Sequence, residues 1–254
     1  MSSSFTVTRD QVITQALRKL GVIELGDTPD ATTLTNAAFD LNLLVKHLNS
    51  GGLKLWKTSE LIVPYQAGVT SYALGTATGI TFYDVLNPHV PVTDKPLKVI
   101  QAWYRNTSVT PNIDTPVMLL SKQEYNVLGS KFSTGTSNSI FYDPRSTKGY
   151  LYVYLTPDTT TATNMEIHLV AQMPIQDPLT GEAAVDFPDE WYNCLVWNLA
   201  DQLAVEYGVP MNLRQEIQQR ALLYRQELEA FDVEQTSTFF QPDYRGAMSS
   251  GYSR

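Results

Sequence analysis

Phe187-Pro188-Asp189-Glu190-Trp191-Tyr192-Asn193-Cys194-Leu195-Val196-Trp197-Asn198-Leu199-Ala200 is the stretch that decides the fold. It predicts a helix. Proline suits a first helical turn, where its missing N–H would be unpaired anyway. Asp189 and Glu190 put negative charge on the positive end of the helix dipole. Trp191, Leu195, Leu199 and Leu203 recur every fourth residue, with Tyr192, Val196, Ala200 and Tyr207 beside them. Gly208 and Pro210 punctuate the join to a second helix, expected from about Asn212 with Gln215 at capping-box distance. Its stripe is Leu213, Ile217, Ala221, Tyr224, Leu228 and Phe231, again at helical spacing. Leu199 and Leu228 are expected in the core.

Periodicity ends after Asp232. From Gln235 to Arg254 the chain is rich in Ser, Thr, Gly and Gln, studded with Phe239, Phe240, Tyr244 and Tyr252. Pro242 and Gly246 would set its direction. A terminal arm with aromatic anchors and no core to join implies a partner that holds it, with Phe239 and Phe240 as main anchors. Assembly is therefore the leading idea, ahead of chemistry on a small substrate.

The first fifty residues also read as helices. Thr8 with Gln11 has capping-box spacing, and Val12, Ile13, Ala16, Leu17 and Leu20 share a face that Gly21 ends. A second helix from about Asp30 carries Leu34, Ala37, Ala38, Leu41, Leu44, Val45 and Leu48. Neither helix is apolar all round, so each must bury its stripe, and the C-terminal pair offers the partner. Between Thr58 and Asp186 the period drops to two. Residues 59–65, 81–86, 97–104, 139–142, 149–155 and 164–172 read as strands. Ser121 to Leu128 reads as a short helix capped by Ser121 and Glu124, and Gly129 to Ser139 as an exposed, mobile loop. The expected class is α+β: a bundle of the N- and C-terminal helices, an inserted antiparallel β domain and an extended C-terminal arm. The expected units are 1–57, 58–186, 187–232 and 233–254.

Composition narrows the function. Apolar content of 43% over 254 residues is that of a chain with a real core. A net charge of -8 argues against a general duplex-DNA binder, which would show a basic face. The single cysteine, Cys194, sits in a helix stripe and reads as core, with no disulfide framework or Cys-rich zinc site. No signal peptide and no bilayer-spanning apolar run are expected.

The case for an enzyme is thin. His47, His89 and His168 are scattered without ligand spacing. Gly75 to Gly79 lacks the lysine of a phosphate loop. Asp189 and Glu190 are adjacent on a helix and point apart, so capping explains them better than acid–base work. No catalytic residue, cofactor or metal is expected. A competing reading is a host-attachment or peptidoglycan-degrading component with a carbohydrate-binding β domain. Exposed Tyr83, Tyr104 and Tyr142 would serve it, and a hydrolase would further need two suitably spaced carboxyls.

Phe187-Pro188-Asp189-Glu190-Trp191, Leu195-Val196-Trp197-Asn198-Leu199-Ala200 and Glu206-Tyr207-Gly208 together resemble the C-terminal helix region of head-to-tail adaptor proteins of short-tailed bacteriophages. These are also called tail accessory factors or packaged-DNA stabilisation proteins. Ala16-Leu17-Arg18-Lys19-Leu20-Gly21-Val22-Ile23 and Gly52-Leu53-Lys54-Leu55-Trp56 agree at the other end. Tyr150 to Asp158 is the best fragment of the middle. The resemblance implies a dodecameric ring beneath the portal protein, with neighbouring copies of itself as partners. Residues 233–254 would reach the portal through Phe239, Phe240, Pro242, Tyr244 and Tyr252. A tail tube or nozzle protein would dock below, and packaged double-stranded DNA would pass through without specific binding. The expected location is the head-to-tail interface of the virion, after assembly in the host cytoplasm and without membrane contact.

Overall fold

A computed structural model describes residues 6–52, 55–75, 82–178 and 180–232. Among them helices and mainly antiparallel sheets give the expected α+β class. Helix α1 (Arg9–Lys19) starts at Thr8, where the predicted capping box is made in both directions: Gln11 N–H donates to Thr8 Oγ1 at 3.4 Å and Thr8 N–H to Gln11 Oε1 at 3.0 Å. Gly21, at φ 71, turns the chain out of it. Helix α2 (Ala31–Ser50) is capped by Asp30, whose Oδ1 accepts from Thr33 N–H at 3.3 Å.

The middle of the chain forms β1 (Thr58–Pro64), β2 (Ser71–Leu74), β3 (Tyr83–Asp84), β4 (Asn87–Pro91), β5 (Lys98–Asn106), β6 (Ile113–Pro116), β7 (Met118–Leu119), α3 (Lys122–Val127), β8 (Ser139–Pro144), β9 (Gly149–Tyr154), α4 (Thr159–Asn164) and β10 (Met165–Gln172). One sheet runs β4-β3-β1-β10-β5-β6 and the other β2-β9-β8-β7. Their inner faces share a core: Leu61 and Val63 of β1 and Ile167 and Leu169 of β10 meet Tyr72, Ile140, Leu151 and Val153 of the second sheet. Alternation along β9 holds as read, with Leu151 and Val153 buried and Tyr150, Tyr152 and Tyr154 on the other face.

Several expectations need correction. Strands β2, β4, β6 and β7 and helix α4 were not legible, and β7 runs parallel to β8, so the β region is not wholly antiparallel. The strand expected from Thr81 to Leu86 shrinks to Tyr83–Asp84, with Thr81 outside the described residues. The loop from Gly129 to Ser139 is not exposed throughout. Ser137 is fully buried and its hydroxyl donates to Leu155 O at 2.5 Å, while Gly135 N–H donates to Thr156 O at 2.9 Å. Buried backbone must find partners, and this loop finds them in the segment after β9.

Gly149, at the start of β9, leaves room for the ring of Tyr142, whose hydroxyl donates to Pro96 O at 2.5 Å. A Cβ at Gly149 would collide with that ring. Gly149→Ala is expected to expel Tyr142 and lower stability by about 1–3 kcal/mol, read from urea denaturation. A midpoint equal to wild type would contradict this packing.

A 3₁₀ turn at Asp189–Trp191 leads into α5 (Tyr192–Leu203), and α6 (Met211–Phe231) follows. Helix α5 stops at Leu203, short of the expected Tyr207, and Gly208 at φ 59 completes the turn. Helix α6 opens behind Pro210 without a side-chain cap, so the Asn212–Gln215 box is not made. Proline fixes the entry φ, which sets the start one residue earlier. Leu199 is fully buried, as expected. Leu228 is only partly buried against the helical core and Phe231 is exposed; among the helices α6 packs mainly on α5 and meets α2 through Arg225 and His47.

Helices from both ends share one core, which joins Val12, Ile13 and Leu17 of α1 and Leu41, Val45 and Leu48 of α2 to Leu195, Leu199 and Leu203 of α5 and Ile217 of α6. Helix α5 touches the other three. Cys194 is buried there, in the role expected. Asn198 Nδ2 ties α5 to α6 by donating to Ala221 O at 3.3 Å. Trp197 lies between the cations of Lys19 and Arg220, at 5.2 and 5.1 Å from its ring. Trp56, Phe187 and Trp191 cluster with centroids 5.3 to 6.1 Å apart at the junction with the sheets.

Candidate functional site

Phe239, Phe240, Pro242, Tyr244 and Tyr252 lie outside the described residues, as does the whole arm from residue 233. Its root is described. Asp232 Oδ1 accepts from Leu55 N–H at 3.1 Å, immediately before β1. Asp232, the last described residue, is therefore held at the junction between helices and sheets.

The aromatics proposed for sugar binding do not come together. Tyr104 and Tyr142 pack against the core between the sheets, and burial pushes the Tyr142 hydroxyl above its ordinary range, with the neighbouring Asp143 charge adding to it. Tyr83 is half-buried on β3, opposite Ile62. That corrects the expectation that these three are exposed on loops; the β-period puts two of them on inward positions.

The sequence missed a cluster on the outer face of the six-stranded sheet. Strand β10 alternates Ile167 and Leu169 inward with Glu166, His168 and Val170 outward. His168 is nevertheless fully buried, because neighbours on three strands cover it. Its Nδ1 lies 2.7 Å from Glu60 Oε1 on β1 and its Nε2 3.1 Å from Glu166 Oε1. Trp103, its cross-strand partner on β5, stacks on the imidazole at 5.5 Å between centroids and 16° between planes. Beside it Arg105 grips Asp114 of β6 with two bonds of 2.7 Å. The Arg105 hydrogen bond holds the Asp114 carboxyl below the usual carboxylate range. Glu60 and His168 are 108 residues apart, and no local pattern links them.

Trp103 also lines a groove of about 510 Å³ with Gln101, Asp114, Pro116, Val117 and Leu119, where β5 and β6 turn toward β7. The chemistry open to this region is narrow. A general base needs a ring nitrogen facing substrate, and both nitrogens of His168 face carboxylates inside the sheet. Glu60 and Glu166 are both engaged by that one ring. Among the described residues no group of three or more His, Cys, Asp or Glu is arranged to hold a metal ion. His47, at the end of α2, accepts from Arg225 of α6 through Nε2 at 3.3 Å. Arginine has no acceptor, so this contact uses the imidazole lone pair. His89 falls on β4.

A second feature pairs like charges, Asp40 on α2 with Glu206 in the turn after α5. Burial raises the Asp40 carboxyl on α2, and the nearby charge of Glu206 adds to it. A carboxyl raised by folding stabilises the fold when protonated, and that contribution is lost as pH rises through its folded-state value. Asp40→Asn is therefore expected to raise the melting temperature at neutral pH. The gain should vanish in acid, where Asp40 itself is protonated. Equal gains at both pH values would contradict the electrostatic origin.

No described helix is long and apolar enough to cross a membrane. Comparison with protein-family models and with curated proteins returns no match.

Proposed function

We propose that this chain is a structural virion protein, a head-to-tail adaptor whose copies form a ring beneath the portal protein of a short-tailed bacteriophage. The ring extends the DNA channel, helps retain packaged DNA and gives the tail its platform. The resemblance of the two helical ends motivates the reading. One structural observation supports it most: among the described residues the helical layer leaves large apolar side chains exposed on two of its helices. Phe39 (65% exposed) and Leu43 (46%) lie one turn apart on α2, and Leu222 (55%) and Leu223 (52%) lie on α6. Both helices rest on α5, and these four side chains point away from the shared core.

Two apolar patches at different places on one surface suit a head-to-tail contact between copies, and such contacts close into rings when the rotation allows. The charge of -8 fits a channel through which DNA slides, because phosphate gripping by Lys and Arg would brake its passage. The test is self-assembly. Leu222→Ser with Leu223→Ser should lower the melting temperature by only a few degrees, because about half of each residue is already exposed, and abolish rings in native mass spectrometry. Rings formed as readily by the double variant would remove the α6 face from the interface.

A further inference from the structure

Phe132, in the loop after α3, is 82% exposed, yet the chain on both sides of it is fastened. Thr156 is almost fully buried and donates from Oγ1 to Lys131 O at 3.2 Å and from its N–H to Ser133 O at 2.9 Å. Its own carbonyl accepts from Gly135 N–H at 2.9 Å. A large aromatic ring in water thus stands on backbone that is already ordered, so seating it in a partner costs little further entropy. Lys131 is held too. Its Nζ lies 4.7 Å from the centroid of the Tyr125 ring and donates to Asn126 O at 3.4 Å. Val127 follows on α3 and is exposed. Between Ser121 and Tyr142 the only acid is Glu124, and its Oε2 turns back to accept from Ser121 N–H at 2.7 Å. The tip formed by α3 and its loop is therefore apolar and basic.

The helical layer carries a patch of the opposite character. Phe39 and Leu43 flank Asp40 on α2, and Asp40 feels the charge of Glu206. Val205, just before Glu206, is exposed like Phe39 and Leu43. Two carboxylates of like charge thus sit among exposed apolar side chains, where an incoming cation would relieve their repulsion. Phe132 and Phe39 are both largely exposed, so tip and patch do not cover one another within one chain. We propose that Phe132 is a docking anchor, seated on the α2 patch of a second copy with Lys131 facing Asp40 and Glu206 there. The inference rests on the ring reading and names the contact made by the exposed face of α2. Joining one surface to a different surface of the next copy is heterologous, and it repeats around a ring. Apolar matching supplies the attraction, and the complementary charges fix which surfaces meet.

The experiment mixes full-length chains carrying Ser130→Cys with full-length chains carrying Asn36→Cys and treats them with a short bismaleimide. Both positions are exposed and flank the contact without forming it, and the native Cys194 is buried. A covalent pair joining one chain of each kind is expected, and none when either variant is mixed with wild type. Phe132→Ser should raise the concentration needed for half-assembly by about thirtyfold in sedimentation, with the melting temperature nearly unchanged. Lys131→Glu should weaken assembly in the same assay, and Glu206→Lys in the same chain should restore it. Wild-type chains that stay monomeric at every concentration would overturn the ring reading, and this contact with it. Wild-type rings that form without the cross-link, or that are indifferent to Phe132→Ser and Lys131→Glu, would overturn the docking alone and leave Phe132 to a different partner.

Discussion

A chain ending at Asp232 is expected to keep its fold and lose the portal. Among the described residues the core shared by the helices draws on none beyond Leu228, and Asp232 should keep its bond from Leu55 N–H in the truncated chain. The melting temperature should therefore stay within a few degrees of wild type. On the proposed function, binding to a portal protein should fall far more. Buried aromatic anchors contribute about 2 kcal/mol or more each, so losing two corresponds to roughly a thousandfold in affinity. Phe239→Ala with Phe240→Ala should reproduce most of that loss, measured by sedimentation with purified portal rings. Undiminished binding by the truncated chain would move the docking surface into the helical layer.

The second large effect is on stability. Leu199→Ala is expected to cost about 2–5 kcal/mol in urea denaturation. Leu199 is fully buried on α5, the helix that contacts α1, α2 and α6, so the cavity would open where four helices meet. Leu228→Ala should cost less, about 1–2 kcal/mol, because Leu228 is only partly buried at the edge of the helical core. Equal losses at the two sites would show that α6 is packed more tightly at its end than its exposure indicates.

The difference between these two leucines shows what the sequence makes legible. A four-residue spacing marks both as apolar face, and it cannot tell how deeply each position on that face is buried. Local signals served well. The Thr8–Gln11 and Ser121–Glu124 capping boxes are both made, since they depend on residues three apart. The Asn212–Gln215 box failed because Pro210 started the helix ahead of it. Strands β3 and β7 have two residues each and β2 and β6 four, too few for a period to register. Helix α4 hides in Thr159-Thr160-Thr161, which reads as strand by side-chain type, yet Asp158 caps it through Thr161 N–H at 2.7 Å.

Tyr142 and Tyr104 look like surface aromatics by composition, and the pleat turns them to the core. The His168 cluster was hidden for a different reason. Its members come from β1, β5, β6 and β10, and only the sheet order brings them side by side. Local chemistry thus reveals caps and stripes, and long-range pairing creates the polar site.

The central claim is that copies of this chain assemble on a portal. The most direct test mixes the purified full-length protein with portal rings of the same phage and reads the mass of the product by native mass spectrometry. The account predicts a discrete complex in which a ring of this chain is added to each portal. A portal mass unchanged at every protein concentration would contradict it.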